Sequence, residues 1–557
     1  MEKIWLKNYP EGIPEFVELD QYVSLVQLLE EAAARYSHLP AFENRGVRLS
    51  FSALNVESRN FAAYLQTEMN LQRGDRVAVM LPNLLQFPVA MFGILRAGLS
   101  AVNINPLYTS RELGEALKKS EAKAIVVLEN FASVLAEVVE DSCIDHVIVA
   151  RVGDLLSFPE SFVVNFVLEH VQHKIPEYEL ENTVFFNEVL AVGRDRRFVK
   201  PSLTPDDVAF LQLTGGTTGS AKLAILTHGN LLSNIAQVDA WFKQVLEEGK
   251  EIAITALPLY HIFSLTANCF LFVHLGGLCH LITNPRDMKG FVRELSEVKF
   301  SVITGVNTLY NGLLNTEGFS ALDFSSLKIS LGGGMAVQEA VAERWQQVTG
   351  CVLAEAYGLT ETSPAVTVNP LDLEKFNGKI GLPVPNTEIC IRDDDGKDLG
   401  IGEAGELCVR GPQVMQGYLN DPEETRNALS EDGWLRTGDI AMVDDAGFVS
   451  IVDRKKDMIL VSGFNVYPNE VEQVVAAHEG VLEVAAIGVE DPSSGEVVKL
   501  CIVKKDPALT EEDVLEFCKD RLTRYKWPKH IEFCAELPKT NVGKILRRAL
   551  RDKKPSE

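Results

Sequence analysis

Three glycines, four hydroxyls and one lysine fall within nine residues of one stretch: Leu211-Gln212-Leu213-Thr214-Gly215-Gly216-Thr217-Thr218-Gly219-Ser220-Ala221-Lys222. Gly215, Gly216 and Gly219 let the backbone come close to a ligand and turn its N–H groups inward. The hydroxyls of Thr214, Thr217, Thr218 and Ser220 donate to oxygen, and Lys222 adds a mobile positive charge. That combination suits a polyphosphate. It is not a Walker A loop, which needs Gly-Lys-Ser/Thr in series, because Ser220 and Ala221 separate Gly219 from Lys222. A mobile surface loop of the same composition is the competing reading, and residues further along the chain weigh against it.

Several islands of glycine and polar residues follow, each at the predicted end of a strand. Tyr260-His261-Ile262 puts a histidine just past one strand, and Gly332-Gly333-Gly334-Met335 puts backbone where it must pass close to a ligand or a helix. Tyr357-Gly358-Leu359-Thr360-Glu361 joins an aromatic face, hydroxyls and a carboxylate. Thr437-Gly438-Asp439 is expected to end in an exposed carboxylate, Arg454 lies second in a charged run, and Gly543-Lys544 sits in a polar turn of the tail. Singly, each reads as structural, because short motifs mislead. Their ordered succession is what argues for a site.

The elements around them alternate. Before the glycine loop the pattern predicts helices at 22–40 and 52–68 (capped by Ser52), strands at 77–81, 101–104, 124–128 and 147–150, and helices at 84–96 and 111–119, the second capped by Ser110. A strand at 208–213 leads into the loop, and Thr227 caps the helix beyond it. The rhythm resumes from residue 250 to 349, and strands separated by helices imply a parallel sheet. Residues 154–200 interrupt it with Phe158, Phe162, Phe166, Phe185 and Phe186 and an apolar patch at 162–168, expected to be a packed surface excursion rather than a membrane contact. Residues 380–449 turn β-rich, as in a small distorted barrel, and a compact α+β segment follows a charged run at 453–457.

Bulk properties narrow the class. The chain has 557 residues, 46% hydrophobic and 24% charged, enough for more than one domain. A net charge of −25 argues against a duplex or tRNA partner, since phosphate backbones require a basic face. The nine cysteines form no Cys-x-x-Cys pair, and Cys269, Cys390 and Cys501 read as buried thiols of a reducing compartment. The N-terminus has no apolar core of signal-peptide length. Residues 265–282 contain Asn268, His274, Gly276, Gly277 and His280, which favours a buried helix and a strand over a membrane span.

In order and spacing, the loop 214–222, the Tyr357 to Glu361 run, Thr437 to Asp439, Arg454 and Lys544 resemble the motifs of the adenylate-forming enzymes: acyl-CoA synthetases, luciferases and the adenylation domains of peptide synthetases. The resemblance covers nearly the whole chain. The runs 257–265, 282–287, 461–470 and 537–548 are most similar to the bacterial long-chain fatty acid–CoA ligases of that family. It implies an α/β fold with a large N-terminal domain (1–452) of parallel α/β subdomains plus a distorted β-barrel, a hinge at 453–457, and a small mobile α+β domain (458–557).

The implied activity is ATP-dependent conversion of a long-chain fatty acid to its acyl-CoA through an acyl-adenylate, with Mg²⁺ and coenzyme A. By the resemblance, Lys544 bridges carboxylate and α-phosphate, Thr214, Gly215, Gly216, Thr217, Thr218, Gly219 and Lys222 cradle the β- and γ-phosphates, and Glu361 holds the metal. Thr360 donates to the α-phosphate, Tyr357 stacks on adenine beside Gly333 and Gly334, and Asp439 takes the ribose hydroxyls with Arg454. Lys456 is the pivot about which the small domain turns to bring Gly463 and Phe464 to the pantetheine channel. His261 lines the acyl–adenylate junction. The acyl tunnel is expected near 261–265 and 306–314, and the aromatic gate of some relatives falls on Leu265. One further departure concerns Leu223, where the family commonly has glycine; a positive φ there would be resisted by leucine. Implied partners are the fatty acid, ATP and coenzyme A, a peripheral contact with the inner face of the cell membrane from the cytoplasm, and a homodimer.

Competing readings are a medium-chain or aryl acid–CoA ligase, a ligase loading a carrier protein, a non-catalytic nucleotide or acyl sensor, and a membrane-embedded transporter. The last rests only on 265–282. The sensor is disfavoured by the intact Glu361, Asp439, Arg454 and Lys544.

Overall fold

The computed structural model describes residues 2–157, 159–172, 174–214, 221–462, 464–491, 494–540 and 543–551. Two large sheets carry most of the chain. The eight-stranded one runs, in spatial order, Gly417–Tyr418, Lys222–Thr227, Val208–Thr214, Ser100–Asn103, Arg76–Met80, Ala124–Leu128, His146–Ala150 and Thr183–Phe185. Its centre is parallel, and strands such as Ala124–Leu128, buried at every position, are the continuous apolar runs that a sheet covered on both faces requires. It is not parallel throughout. Lys222–Thr227 returns antiparallel to Val208–Thr214, so the residues beyond the glycine loop form a strand before their helix begins.

The nine-stranded sheet is parallel from Pro40–Asn44 through Leu278–Leu281, Ile252–Thr255, Val302–Gly305 and Ile329–Gly333 to Leu353–Gly358. Antiparallel strands close both its edges. One large core, containing Phe61, Phe92, Phe186, Phe210 and Phe270, joins the two sheets. The β-rich stretch contributes a four-stranded antiparallel sheet in the order Glu388–Arg392, Gly405–Arg410, Leu435–Val443, Val449–Arg454. After Arg454 the chain enters a separate five-stranded sheet, built on the hairpin of Val481–Asp491 with Gly495–Lys504, which has its own apolar clusters with helices Pro468–Ala476 and Glu511–Lys519.

Local chemistry moved two of the expected caps. Helix Phe51–Thr67 starts one residue early because Phe51 is drawn fully into the core, and Ser50 rather than Ser52 accepts the Ala53 N–H at 3.1 Å. Helix Ser110–Ser120 is capped by Thr109, because only that position lies three residues before Glu112 and completes a capping box. Thr227 caps helix His228–Phe242 as expected, with Asn230 answering it. The surface excursion divides. Helix Phe186–Arg194 packs on Phe51–Thr67, whereas Phe162 and Phe166 on helix Glu160–Phe166 are 63% and 47% exposed, so the packing expected of that half is absent. Residues 262–275 form short α and π turns ending at Gly276 (φ 69°), and no helix among the described residues is long and apolar enough to cross a membrane. Cys269, Cys390 and Cys501 are buried free thiols.

Candidate active site

Parallel strands bring the glycine turn and the aromatic island to one sheet edge. Gly332 pairs with Glu355 and Gly333 with Ala356, so Gly333-Gly334 and the Tyr357 ring leave neighbouring strand ends together. Gly334 has φ +80°, and a Cβ there would lie 3.1 Å from Cε of Lys544. A Cβ on Gly333 would press on the Phe263 ring and the Ala356 carbonyl. Glycine at both positions thus keeps a path open for the lysine stem and for a ligand.

The four-stranded sheet supplies the carboxylate. Asp439 and Arg454 are direct cross-strand partners, and Arg454 Nε lies 3.3 Å from Asp439 Oδ1. The Tyr357 hydroxyl donates to Asp439 Oδ2 at 2.6 Å. Burial, and then the Asp439 charge, hold that phenol well above its ordinary pKa, so it stays a donor. Glu361 stands in the 3₁₀ turn Thr360–Thr362 and accepts from the Tyr418 hydroxyl at 2.8 Å. Thr214 and Lys222 face each other across the base of the glycine stretch. Lys222 Nζ is paired with Glu424 and lies 5.0 Å from the Tyr418 ring centroid.

Lys544 enters this group from the small sheet's side. Its backbone N–H donates to Thr540 Oγ1 at 3.0 Å, and the carbonyl before it, on Gly543, accepts from Thr308 Oγ1 at 3.0 Å. Burial and the Arg454 cation push the ammonium's pKa down, Asp439 and Glu361 pull it back up, and it settles at about 8. The sign gives a first prediction. Lys544 is charged below that value and neutral above it; with the role the resemblance implies for it, kcat/KM for ATP is expected to fall as pH rises through about 8, by about tenfold per unit beyond the limb. The limb in kcat should lie higher, since bound anions favour the charged form. A pH profile from 6 to 10 measures both.

His261 is the N-cap of the turn Ile262–Ser264, and its Nδ1 accepts the Phe263 N–H at 3.3 Å. Burial and the nearby Lys544 cation push its pKa down to about 3. It is therefore a neutral imidazole with Nε2–H free to donate.

These residues share one cleft of about 1720 Å³ between the two parts of the chain. Thr214, Lys222, His261, Gly333, Gly334, Tyr357, Thr360, Glu361, Asp439, Arg454, Lys456 and Lys544 all line it. Phe464 does not; it is 58% exposed and stacks on Tyr525 with centroids 5.0 Å apart. Gly215, Gly216, Thr217, Thr218, Gly219 and Gly463 lie outside the described residues. The tunnel wall expected at 306–314 is corrected. Leu309, Tyr310, Leu313 and Leu314 are buried in a separate core with Trp345, and from this helix only Asn307, Thr308 and Asn311 reach the cleft. The apolar wall comes instead from Ile262, Phe263 and Ala267 and from Val238 and Phe242 of helix His228–Phe242. Leu265 is fully buried and does not line it. Leu223 lies inside a strand opposite Leu213, 2% exposed and without a positive φ, so the expected conflict with leucine does not arise.

Three lining residues escaped the sequence reading. Tyr418 touches both Glu361 and Lys222, and its signal was available: Gln416-Gly417-Tyr418 is another polar–aromatic island after an apolar run. Glu424 sits in the first turn of helix Pro422–Ala428, where an acidic residue reads as a complement to the helix dipole. Glu355, 5% exposed, accepts the Val337 N–H, and burial pushes its carboxyl up to about 8.

Comparison with known proteins adds the following. Residues 29–419 match the family model described as AMP-binding enzyme, and residues 470–544 match the AMP-binding enzyme C-terminal domain. Over 552 residues the chain is 57% identical to the long-chain-fatty-acid–CoA ligase of Salmonella typhimurium and 56% to that of Escherichia coli O157:H7, covering 99% of this chain and 98% of each relative. The crystal structure of the anthranilate CoA ligase AuaEII in complex with anthranoyl-AMP superimposes with a TM-score of 0.84 at 25% identity, covering 96% of this chain and 98% of that one.

Proposed function

Because the chain belongs to the AMP-binding enzyme family, we infer that it is a long-chain fatty acid–CoA ligase, which joins a fatty acid to coenzyme A at the expense of ATP by way of an acyl-adenylate. The observation that carries the reading is the convergence of Lys544, Asp439 and Glu361 on one cleft from three separate parts of the chain.

In the first step a carboxylate oxygen attacks the α-phosphorus of ATP, a new O–P bond forms, and the bond to the β-phosphate oxygen breaks to release pyrophosphate. Anion meets anion, so the site must supply positive charge where negative charge crowds. Lys544 does this between the carboxylate and the α-phosphate. Thr360 donates to the same phosphate, and the stretch 214–222 takes the phosphates that leave. Lys222 is already balanced by Glu424, so the nucleotide exchanges one anion for another there. Tyr357 faces the adenine beside Gly333-Gly334, and Asp439 with Arg454 takes the ribose hydroxyls. Glu361 fits a Mg²⁺ held mainly by phosphate oxygens: it is a single carboxylate, and no cluster of three or more metal-binding side chains occurs among the described residues. When bound, that ion would neutralise charge on the departing pyrophosphate.

In the second step the sulfur of coenzyme A attacks the acyl carbon, the acyl–phosphate C–O bond breaks, AMP leaves, and the thiol proton passes to solvent. Lys544 is then no longer needed. Rotation of the residues after the 453–457 hinge about Lys456 would withdraw it and bring Gly463 and Phe464 to the cleft in its place. The neutral His261 holds the acyl–adenylate junction with Nε2–H, and the acyl chain runs past Ile262 and Ala267 along Val238 toward Phe242. A peripheral membrane contact is assigned to the exposed Phe162, Val163, Phe166 and Val171, four apolar side chains on one short excursion.

ATP- and coenzyme A-dependent thioester formation, measured with palmitate, octanoate and benzoate and then with a holo-carrier protein as acceptor, tests the assignment. Palmitate with free coenzyme A is expected to give the highest kcat/KM. A wide margin for octanoate or benzoate, or for the carrier protein, would replace it with one of the competing ligases.

A further inference from the structure

Helix Asn307–Leu314 presents Thr308 and Asn311 on one face, three residues apart. Both are half-buried in the cleft. Thr308 Oγ1 donates to the Gly543 carbonyl at 3.0 Å, and Asn311 Nδ2 donates to the Leu482 carbonyl at 3.0 Å. The two acceptors belong to the terminal part of the chain, one in the turn that carries Lys544 and the other on strand Val481–Asp491. The rest of the helix is anchored elsewhere: Leu309, Tyr310 and Leu313 are buried in the core around Trp345, and the Tyr310 hydroxyl donates to the Leu331 carbonyl at 2.8 Å. A rigid helix therefore offers two donors to two backbone carbonyls of the small sheet's domain.

Gly543 fits the contact closely. Its φ is +82°, and a Cβ there would stand 2.8 Å from Thr308 Oγ1 and 3.0 Å from the Val306 side chain. The residue before Lys544 is thus held by its conformation, by its lack of a side chain and by the Thr308 hydroxyl. Beyond it, the lysine stem passes over Gly334.

We propose that Thr308 and Asn311 are positioning residues for the first half-reaction: together they clamp the small domain in the orientation that delivers Lys544, and they take no part in the second. The inference rests on the two-step ligase reading above. Backbone carbonyls as acceptors suit a contact that must be made and broken every turnover. Each bond is neutral, exposed enough to be replaced by water on release, and so modest in net strength. A charged pair at the same place would hold the domain in one pose and slow its departure.

The test compares half-reactions in the full-length enzyme. Thr308→Val with Asn311→Ala removes both donors and leaves Lys544, Asp439 and Glu361 untouched. Palmitate-dependent ATP–pyrophosphate exchange is expected to fall by about tenfold through kcat, with KM for ATP nearly unchanged, since two net hydrogen bonds are lost. Thioester formation from supplied palmitoyl-AMP and coenzyme A is expected to stay level or rise. Asn311→Ala alone, whose partner Leu482 lies outside the lysine turn, should move the same ratio in the same direction by a smaller factor, which keeps the test open should the double variant fold poorly. Equal losses in both half-reactions, or no change in either, overturn the clamp. A wild-type enzyme that forms no acyl-adenylate from palmitate overturns the ligase reading itself, so the two failures are told apart.

Discussion

Replacing Lys544 by alanine is expected to slow acyl-adenylate formation by about 10²–10³-fold, the effect of removing one aimed electrostatic group from a transition state. Thioester formation from supplied palmitoyl-AMP should keep most of its rate. The asymmetry follows from where the charge is needed. A carboxylate approaching a polyphosphate meets repulsion that water screens poorly inside a cleft, and the ammonium offsets it only where both anions lie within reach. The proposed function gives Lys544 that position, and its surroundings agree: its stem crosses Gly334, and Asp439 and Glu361 act on its charge. Once the anhydride exists, the attacking group is a thiol and the leaving group is AMP, and this cation has left in the rotation we infer. Half-reaction assays on the purified variant measure both numbers. Lys544→Arg should restore little, because a planar, bulkier head cannot follow the same path over Gly334, where space for even a methyl group is only 3.1 Å from the lysine stem.

The second large effect is expected at Asp439. Its alanine variant should raise KM for ATP by about 10–100-fold, the loss of hydrogen bonds to a charged acceptor, with a smaller change in kcat. In the role proposed for it Asp439 holds the ribose, which does not react, so it would serve substrate and transition state alike. The buried position adds to the loss: Asp439 is 5% exposed, not the exposed carboxylate that its polar turn suggests, because Tyr357 and Arg454 cover it, and its removal leaves the Tyr357 hydroxyl and the Arg454 guanidinium without their shared acceptor. The contrast with Lys544 is diagnostic. Palmitoyl-AMP carries the same ribose, so the Asp439 variant should show a raised KM in both half-reactions. Steady-state kinetics in ATP, and separately in palmitoyl-AMP, distinguish the two patterns.

Much of this arrangement was legible before any coordinates, for physical reasons that differ from residue to residue. Gly333-Gly334, the Tyr357 to Glu361 run and Asp439 stand out as polar and glycine residues that interrupt apolar strands, but singly they read as structural; their order along the chain marks a site, and only the family resemblance gives them roles. The alternation of strands and helices marked a parallel α/β arrangement, since period and apolar runs are local properties, but not its division into two sheets or their antiparallel edges. What failed was either one residue wide or non-local. Ser52 and Ser110 were plausible caps by type; the choice of Ser50 and Thr109 turned on the burial of Phe51 and on the reach of Glu112. Nothing local marks Lys222–Thr227 as a strand, because its partner lies across a glycine loop. The apolar content of helix Asn307–Leu314 suits a tunnel wall, but it faces the Trp345 core and leaves the polar Asn307, Thr308 and Asn311 for the cleft. Tyr418 and Glu424 belong to a segment whose approach to Lys222 spans about two hundred residues of sequence, and only folding brings such pairs together.

The most direct test of the central claim is a rapid-quench experiment with enzyme in excess over radiolabelled palmitate, ATP present and coenzyme A withheld. The account predicts palmitoyl-AMP bound in an amount approaching one per cleft, matched by an equal amount of pyrophosphate, and neither within the same interval in Lys544→Ala. Release of pyrophosphate only after coenzyme A is added, or an undiminished palmitoyl-AMP burst in the lysine variant, would contradict it.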